Sequence, residues 1–345
     1  MAKRLPSKPK MPTMYDVAKL AGVSQPTVSR VLNQNDTTVQ ISEETRTRVL
    51  AAVEALGYHP NILARSLRTQ RTQTIALLIA DISNGFYHTI TRAVQDVAHS
   101  NGYEVLISNS DHIYENEKHF CEAVSRRPVD GMIMVPIHLT ESDLEDYFGN
   151  THTPVAILGS HLHYNGGDIV YMDDEQATYE GVRWMITERH YESFGFVGVA
   201  DDLPPGPRRL HGFKRALNEF GLFLDPRLFF RGDFTMESGA ECVHQLIQTG
   251  ILPHALFVLN DLMAIGAILA LQEAGYRVPE DIAVMGFDDI PEAKIVRPML
   301  TTIAQDPRDI GLKLAHTLFE RINNPDIEQP RVLESPWKLM IRDSA

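Results

Sequence analysis

Residues 13–32 read TMYDVAKLAGVSQPTVSRVL, and this stretch predicts a helix, a tight turn and a second helix. Thr13 can cap the first helix, and Asp16 three residues later completes a capping box of the Thr-x-x-Asp kind. Gly22 follows, and glycine enters the left-handed conformation of such a turn without steric cost. Ser24 is then placed to cap the second helix, so the start of each helix is encoded locally.

Each predicted helix has one apolar face. The apolar residues of the first helix, at helical spacing, are Val17, Leu20 and Ala21. Those of the second helix are Val28, Val31 and Leu32. The side chains left to face outward are Gln25, Pro26, Thr27, Ser29 and Arg30. Such side chains reach base edges and phosphates when the second helix lies in a major groove. The segment therefore predicts duplex DNA as a partner, with an ordinary packed αα-hairpin as the alternative.

The length and composition are typical of a globular protein with more than one domain. The 345 residues suggest two or three domains, and a hydrophobic content of 43% is ample for buried cores. No run of about 18 apolar residues is present to span a bilayer. The basic, proline-rich start of the chain lacks the apolar stretch of a signal peptide. Cys121 and Cys242 are isolated, which disfavours a disulfide framework and favours a reducing cytoplasm.

Charge is distributed unevenly along the chain. Residues 1–72 contain 11 basic and 5 acidic side chains, a net charge of +6. The remaining residues contain 21 basic and 40 acidic side chains, a net charge of −19. This asymmetry predicts a basic DNA-binding head on an acidic body that phosphate repels.

A third predicted helix completes the head. Ser42 can cap it, two glutamates follow in the first turn where the helix dipole favours anions, and Gly57 can end it. Its apolar stripe consists of Val49, Ala52, Val53 and Leu56. We therefore expect a basic flexible arm over residues 1–12 and a helix-turn-helix DNA-binding domain over residues 13–59.

Four short motifs give the chain a resemblance to a known family. They are Asp16-Val17-Ala18, Ala21-Gly22-Val23-Ser24, Thr27-Val28-Ser29-Arg30-Val31-Leu32-Asn33 and Ala64-Arg65-Ser66-Leu67. With them the chain resembles the lactose/galactose repressor family of bacterial transcription regulators, over nearly its whole length. The most specific motifs lie in residues 1–72. The resemblance implies a DNA-binding head, a hinge and a body that binds a small-molecule effector.

The resemblance also implies a role for residues 60–72, the hinge helix and linker. Within them, residues 61–68 would fold into a short helix only on operator DNA, and Leu67 would be a wedge inserted from the minor groove. An isolated helix of about 8 residues is marginal in water. An apolar wedge can exchange base unstacking for a bent, better-wrapped duplex. A plain interdomain contact is the alternative role for Leu67.

Carried onto this sequence residue by residue, the resemblance implies a set of DNA-binding side chains. They are Tyr15, Ser24, Gln25, Pro26, Thr27, Ser29, Arg30, Asn33, Asn61, Ala64, Arg65, Leu67 and Arg68. The sequence departs from the family pattern in two places. The loop after the second helix is longer than is typical. Pro26 offers no hydrogen-bond donor at a base-reading position, so direct readout depends on Gln25 and Arg30.

From Thr74 onward, short apolar runs alternate with amphipathic segments. The runs predicted as strands are residues 75–80, 103–108, 131–135, 155–158, 194–199, 255–259 and 282–287. The segments predicted as helices are residues 89–100, 116–126, 208–220, 238–249 and 262–274. Apolar runs of this length are typical of parallel strands buried on both faces, which indicates doubly wound α/β lobes.

The expected fold is a three-helix helix-turn-helix head plus a hinge helix, followed by a bilobed α/β body with two doubly wound parallel sheets, like that of periplasmic binding proteins. The body is the effector-binding and dimerisation domain, over residues 73–345. The resemblance implies that the chain crosses between the lobes three times. It places residues 73–173 and 305–326 in the first lobe, and residues 174–304 and 327–345 in the second.

Ligands in open α/β sheets bind beyond the carboxyl ends of the strands. The positions selected by that rule after three of the predicted strands are Asp81, Ser83, Asn84, Phe86, Tyr87, Asn260, Asp261, Asp288 and Asp289. The resemblance implies an effector contact at each of these positions and adds Arg209 and Phe234. Carboxylates, an amide and an arginine around aromatic faces suit a polyhydroxylated ligand, because each hydroxyl both donates and accepts hydrogen bonds.

Simpler roles are open for some of these residues. Asp288 could cap the segment that follows it, Asp261 could be a helix N-cap, and Phe86 could belong to the core. The sequence also departs from the family pattern at Gly159-Ser160, where an aspartate often sits. Residues 203–206 lack the polar side chains that some relatives offer. The identity of the effector is therefore left open by the sequence.

The sequence gives little support for an enzymatic function. No Gly-x-Gly-x-x-Gly follows a strand, and neither a phosphate-binding loop nor a Gly-x-Ser-x-Gly elbow is present. His161-Leu162-His163 with Asp168 nearby could suggest a metal, but a surface loop with two histidines is the commoner explanation. We expect no catalytic activity, no cofactor and no metal.

The sequence therefore predicts a cytoplasmic, homodimeric transcription regulator, most simply a repressor. Its partners would be double-stranded operator DNA and a small-molecule effector, a sugar or sugar derivative, with no membrane. A corepressor-dependent regulator that responds to a nucleobase or another metabolite is the alternative. A periplasmic sugar-binding protein is a weaker alternative, because it predicts a secretion signal and no DNA-binding head.

Overall fold

The computed structural model describes residues 12–32, 41–59, 66, 71–151, 153–159, 161–162, 164–327 and 329–345. The chain divides into two compact units, Met1–Thr72 and Gln73–Ala345, which we call the head and the body. Within the part of the chain that is described, no helix is both long enough and apolar enough to cross a membrane.

The helices of the head are α1 (Met14–Ala21), α2 (Gln25–Leu32) and α3 (Glu43–Leu56). The predicted capping box is confirmed. Asp16 N donates to Thr13 Oγ1 at 3.4 Å, and Thr13 N donates to Asp16 Oδ2 at 2.8 Å. Gly22 ends α1 in the left-handed region, with a φ of 67°. The Ser24 hydroxyl accepts from Thr27 N at 3.3 Å, which confirms Ser24 as the cap of α2.

These three helices enclose a small core. Its buried apolar residues are Val17, Ala18, Ala21, Val28, Val31, Val49, Ala52 and Tyr58. Two predictions about the helix faces are wrong. Leu20 is 56% exposed and Ser29 is only 8% exposed. In α1 the inward face includes Ala18 in place of Leu20, and in α2 it extends from Val28 to Ser29. Neighbouring helix positions differ by about 100°, so an apolar stripe locates the centre of the buried arc only to within about one position, and Ala18 and Ser29 lie inside the observed arc.

The strands and helices of the body alternate along the chain. The strands are β1 (Thr74–Ile79), β2 (Glu104–Asn109), β3 (Gly131–Met134), β4 (Val155–Leu158), β5 (Gly167–Tyr171), β6 (Phe194–Gly198), β7 (Phe229–Arg231), β8 (Ala255–Val258), β9 (Ala283–Asp288), β10 (Thr301–Gln305), β11 (Val332–Glu334) and β12 (Trp337–Met340). The helices are α4 (Gly85–Ser100), α5 (Tyr114–Arg126), α6 (Glu141–Phe148), α7 (Asp174–Thr187), α8 (Pro205–Glu219), α9 (Met236–Gln248), α10 (Asp261–Glu273) and α11 (Pro307–Asn323). Every strand and helix predicted for the body is present. The pattern did not identify β5, β7, β10, β11, β12, α6, α7 or α11.

The body consists of two lobes, each built on a six-stranded sheet. The first sheet has the order β11-β5-β4-β3-β1-β2, with all strands parallel. The second sheet has the order β12-β10-β9-β8-β6-β7 and is parallel except for β12, which runs antiparallel to β10. Central strands such as β9 are buried along their whole length, as helices on both faces of a parallel sheet require.

The chain passes between the lobes after β5, after β10 and after β11. The predicted third boundary, between residues 326 and 327, is wrong, because β11 pairs in parallel with β5 of the first lobe. A buried carboxylate holds this segment in place. Asp168 accepts from Arg321 Nε at 2.9 Å and from Arg331 N at 2.9 Å. Residues 329–334 therefore stay with the first lobe.

Helix α11 belongs to the first lobe although it follows the second lobe in sequence. It packs against α4 and against the strands of the first sheet. Leu314 and Leu318 of α11 are fully buried. A Cβ on Gly131 of β3 would lie 3.0 Å from Leu318 Cδ1, so helix and strand are in close contact there. The first lobe thus needs a downstream helix to complete its core.

Candidate functional sites

A cavity lies between the two lobes, at the carboxyl ends of the parallel strands. It encloses about 820 Å³ of empty space, a volume that includes the part open to solvent. The first lobe lines it with Asn84, Phe86, Tyr87, His112, Val135, Pro136, Ile137, Leu158, Gly159, His161 and Tyr171. The second lobe and the segments that cross between lobes contribute Met172, Asp174, Pro204, Pro205, Arg208, Arg209, Phe234, Asn260, Asp288 and Gln305.

Phe86 and Tyr87 reach the cavity from the first turn of α4. Asn84 caps this helix by accepting from Phe86 N at 3.0 Å, which fixes where the helix begins. The two rings meet edge to face with their centroids 5.1 Å apart. Burial, and next the nearby Asp288, raises the pKa of the Tyr87 hydroxyl, so that group stays protonated.

Arg209 of α8 is the central cation of the second lobe's wall and is only 6% exposed. Its Nε lies 3.6 Å from Asp174 Oδ2, and its Nη2 lies 4.0 Å from Asp288 Oδ1. Its Nη1 donates to the carbonyl oxygen of Leu259, and its guanidinium carbon lies 3.5 Å from the ring centroid of Phe287. Burial lowers the pKa of Arg209, but the two carboxylates oppose that shift and the group stays charged.

Asp288 is the last residue of β9. Its backbone has a φ of 121°, a value that residues other than glycine rarely adopt. Its Oδ1 accepts from Gln305 Nε2 at 2.7 Å. Burial raises the pKa of Asp288 to about 6, and Arg209 opposes that rise. Backbone strain of this kind is concentrated at functional sites, which favours a ligand-binding role for Asp288 over a capping role.

Asn260, and not Asp261, caps α10. Asn260 Oδ1 accepts from Met263 N at 3.0 Å. Asn260 Nδ2 donates to the carbonyl oxygen of Phe234 at 3.0 Å and so fixes the loop that carries that ring. The alternative role of Asp261 as a helix N-cap is therefore wrong, because the residue before it already occupies that position.

Asp261 lies one layer below the cavity and is fully buried. It accepts from Thr302 Oγ1 at 2.6 Å and from Ile290 N at 2.9 Å. Burial, and next the nearby Asp288, raises the pKa of Asp261 to about 8. Burial therefore favours the protonated form of Asp261, and its contact with Ile290 N positions the loop that follows Asp288.

Arg208 and Asp174 form a second ion pair in the wall, which the sequence pattern did not single out. Arg208 Nε donates to Asp174 Oδ1 at 2.7 Å, and Arg208 Nη2 donates to Asp174 Oδ2 at 3.0 Å. Bidentate pairs of this kind are strong and hold both groups in place. The two adjacent arginines, Arg208 and Arg209, are visible in the sequence and could have indicated a charged wall. Asp174 could not be paired with them from the sequence, because only the fold brings it near.

One aromatic contact crosses the cavity from lobe to lobe. The His112 ring of the first lobe stacks on Phe234 of the second, with centroids 4.8 Å apart and planes 14° apart. Both residues have left-handed backbones, with φ of 55° and 72°. Burial lowers the pKa of His112, which favours the neutral ring. Phe234 was predicted as an aromatic surface for the ligand, whereas a loop histidine gives no local signal.

The structure brings most of the predicted effector residues to one cavity. Those that line it are Phe86, Tyr87, Arg209, Phe234, Asn260 and Asp288. Asp81 is not among the lining residues. Its carboxylate accepts from Ser83 N at 2.8 Å and from Ser83 Oγ at 2.7 Å, an arrangement in which it orders the loop after β1.

The predicted DNA-reading side chains lie mainly on α2 of the head. Ser24, Gln25, Pro26 and Arg30 are exposed, and Thr27 is half-buried. Tyr15 of α1 is 61% exposed. Ser29 is turned into the core of the head, contrary to the prediction that it faces outward. The other predicted DNA-binding residues lie outside the described residues: Asn33, Asn61, Ala64, Arg65, Leu67 and Arg68.

The carboxylate of Asp168, which the sequence offered as a possible metal ligand, forms salt bridges with two arginines. Arg321 Nη2 lies 2.8 Å from Asp168 Oδ1, and Arg331 Nη2 lies 2.7 Å from Asp168 Oδ2. His161 lines the cavity, and His163 lies outside the described residues. In the described part of the chain, no group of three or more histidine, cysteine or acidic side chains is placed to hold a metal ion.

Comparison with known proteins gives matches to both units. Residues 13–61 match the model for bacterial regulatory proteins of the lacI family, and residues 185–345 match the periplasmic binding protein-like domain. Catabolite control protein A of Priestia megaterium is 35% identical over 333 residues, which cover 96% of this chain and 98% of that protein. The HTH-type transcriptional repressor PurR of Aliivibrio salmonicida is 34% identical over 334 residues, covering 97% and 99%.

Solved structures give the same result. The Lac repressor dimer bound to operator and the anti-inducer ONPF matches with a TM-score of 0.82 and 28% identity, over 97% of this chain and 99% of that one. The complex of the transcriptional regulator CelR with cellobiose matches with a TM-score of 0.71 and 28% identity, over 97% and 100%. With a helix-turn-helix head and a two-lobed body, and with these full-length relatives, the chain belongs to the lacI family of bacterial regulatory proteins and is a DNA-binding transcriptional regulator with an effector-binding body.

Proposed function

We propose that this regulator is a repressor controlled by a neutral, polyhydroxylated small molecule, a sugar or sugar derivative, bound between the lobes. The observation that carries this proposal is the balanced charge of the cavity wall. Arg208 and Arg209 face two carboxylates, Asp174 and Asp288, and each of the four is already paired. A charged ligand would leave one member of this set unpaired, whereas a neutral ligand would not.

Hydroxyl groups match the hydrogen-bonding capacity of this wall. A hydroxyl donates one hydrogen bond and accepts others, so it can bridge a carboxylate oxygen and a guanidinium N–H. Asp288 and Arg209, whose nearest atoms are 4.0 Å apart, offer such a pair. Phe86 and Phe234 provide apolar surface on which the C–H groups of a sugar ring can pack. Cellobiose in the CelR complex and ribose in a relative from Enterococcus faecium support the same ligand class.

A nucleobase is the second candidate, and one observation favours it. The parallel stack of His112 on Phe234 shows that the cavity already accommodates two flat rings face to face. A planar base could replace His112 on Phe234 and keep the stacking. The PurR relatives make this candidate worth testing beside sugars.

The experiment is thermal unfolding of the purified protein with neutral sugars, sugar acids, sugar phosphates, nucleosides and purines. A ligand at about 100 times its Kd adds about 2.7 kcal/mol of stability. We expect only neutral sugars to raise Tm, and we expect Arg209→Ala to abolish that rise. Arg92→Ala is the matched control, because Arg92 is exposed on α4, away from the cavity. A rise with purines alone would favour the nucleobase, and a rise that survives Arg209→Ala would place the ligand elsewhere.

The DNA-binding part of the proposal has its own test. Two heads of a dimer would occupy half-sites of a near-palindromic operator about 34 Å apart, or a multiple of that spacing. Titrating labelled operator DNA with and without the ligand then gives the sign of the coupling, which is about 1–3 kcal/mol in typical allosteric proteins. Weaker binding with ligand means induction, and tighter binding means corepression.

Leu67 provides a test of the hinge. We expect Leu67→Ala to weaken specific operator binding strongly, because the wedge that bends the duplex is lost, and to leave sugar binding unchanged. Operator affinity equal to that of the wild type would rule out the wedge role.

The protein would act in the cytoplasm, where operator DNA is found, and would release its ligand unchanged. Recovery of chemically intact sugar after long incubation checks that it is not an enzyme.

A further inference from the structure

Two side chains of the cavity have buried hydrogen-bonding atoms without a partner among the described residues. They are Arg209, through Nε, and His161, through both Nδ1 and Nε2. Arg209 Nε is 3.6 Å from its nearest carboxylate oxygen, too far for a hydrogen bond. A buried donor or acceptor left without a partner costs about 1–3 kcal/mol. Since native proteins avoid such groups, each one needs an explanation.

His161 fits into the wall because of Gly159, the residue that follows β4. Gly159 has a φ of 141°, which favours glycine. A Cβ on Gly159 would lie 2.8 Å from His161 Cε1 and 2.9 Å from His161 Nδ1. The imidazole therefore occupies the space that a side chain at position 159 would take. The glycine lets a polar ring from two residues further on serve as the lining of the cavity at the end of this strand.

The ring is uncharged in this position. Burial, and next the nearby Arg208, lowers the pKa of His161 to about 4. A neutral imidazole has one N–H donor and one nitrogen acceptor. That combination matches a hydroxyl group, which also donates and accepts. A carboxylate or phosphate would use only the donor.

We propose that His161 is a specificity-determining residue that binds one hydroxyl group of the ligand through its neutral imidazole, in the cavity that Arg209 also lines. This inference rests on the proposed function, namely that a neutral sugar occupies the cavity. Both nitrogens are almost inaccessible to solvent, so the ring turns about its Cβ–Cγ bond to present one of them to the ligand. Side-chain rotations of this kind are common on binding. Arg209 and His161 then both gain the partner that they lack.

A purely structural role makes a different prediction for stability. If His161 were only a packing residue, His161→Leu would lower the stability of the ligand-free protein. If its nitrogens are kept for a ligand, an apolar replacement removes two unpartnered polar atoms, and Tm of the ligand-free protein stays the same or rises. His244→Leu is the matched control, because His244 is half exposed on α9.

The decisive experiment is a double-mutant cycle between the protein and the sugar. Calorimetric Kd values are measured for cellobiose, D-ribose and other neutral sugars, and then for each monodeoxy analogue of the tightest binder. The proteins are the wild type, His161→Leu, His161→Gln, which keeps a donor and an acceptor, and Arg209→Ala. We expect one deoxy analogue to bind about tenfold more weakly than the parent sugar to the wild type, and equally well to His161→Leu. His161→Gln should restore part of the discrimination.

The outcomes distinguish failure of the His161 role alone from failure of the proposed function. If neutral sugars bind the wild type but not Arg209→Ala, and no deoxy analogue couples to His161, the role of His161 is overturned while the proposed function stands. A fall in ligand-free Tm for His161→Leu without such coupling identifies a packing residue. If no neutral sugar binds the wild type, both proposals fail together.

Discussion

The two walls of the cavity differ in chemistry. The first lobe contributes rings and apolar side chains, such as Phe86, Ile137 and Leu158. The second lobe contributes the paired charges, centred on Arg209 and Asp288. Each ion pair described in the cavity lies within the second lobe, so the first lobe can move against it without breaking one. The second lobe therefore keeps its ion pairs whatever the position of the first lobe.

The largest expected effect comes from breaking the charged wall. We expect Arg209→Ala to destabilise the body by about 3–5 kcal/mol, because it leaves Asp288 and Asp174 buried with less compensation. Denaturant unfolding of the wild type and variant measures this loss. The exposed pair of Arg92 with Asp96 provides the control, since Arg92→Ala should change stability by less than about 1 kcal/mol. Equal losses for the two variants would contradict the contrast between buried and exposed pairs.

A smaller effect is expected from Asp261, below the same wall. Its pKa is raised to about 8 by burial, from an ordinary 3.8, so the folded protein binds a proton that the unfolded chain has released. The stabilisation from this proton is fully present below about pH 4 and is lost as the pH rises through 8. We expect Asp261→Asn, which keeps a hydrogen bond to Thr302 and one from Ile290 N, to be more stable than the wild type at pH 8.

The measurement for Asp261 is Tm at pH 5 and at pH 8 for both proteins. The wild type should lose more stability than Asp261→Asn between these two values. Parallel pH profiles would show that Asp261 is ionised in the folded protein. The comparison with Asp261→Asn isolates this one carboxyl from Asp288, whose pKa is also raised, to about 6.

The smallest expected effect concerns the contact that joins the walls. The stack of His112 on Phe234 contributes about 0.5–1.5 kcal/mol, on the scale of aromatic pairs. We expect His112→Ala to let the two lobes move further apart, because their aromatic contact is lost, and to change sugar affinity by less than about tenfold. Small-angle scattering of the ligand-free protein, with Phe234→Ala measured beside it, checks the shift. Unchanged scattering in both variants would mean that the stack does not hold the lobes together.

Short sequence patterns predicted the helices and strands of the molecule more reliably than they predicted which side chains contact one another. The cap at Thr13, the turn at Gly22 and the buried strand β9 each follow from a few neighbouring residues, and the sequence predicted them. Leu20 and Ser29 were assigned to the wrong faces, because a stripe at helical spacing fixes the rotation of a helix only to within one position.

The residues of the cavity also divide into those that the local sequence could predict and those that only the fold brings in. Arg209 and Asp288 could be predicted because they lie in recognisable motifs or after a strand. Asp174 and Gln305 could not, because they reach the cavity only where the chain crosses between lobes. His161 was seen as part of a loop, and its place in the wall depends on the space left by Gly159.

The position of α11 also has a consequence for synthesis of the protein. The ribosome makes β1 to β5 first, but Leu314 and Leu318, which cover that sheet, follow only after the second lobe. During translation the second lobe can therefore close most of its core while one face of the first lobe is still bare. That face is a surface for chaperones, or for unwanted association, until α11 and β11 emerge from the exit tunnel.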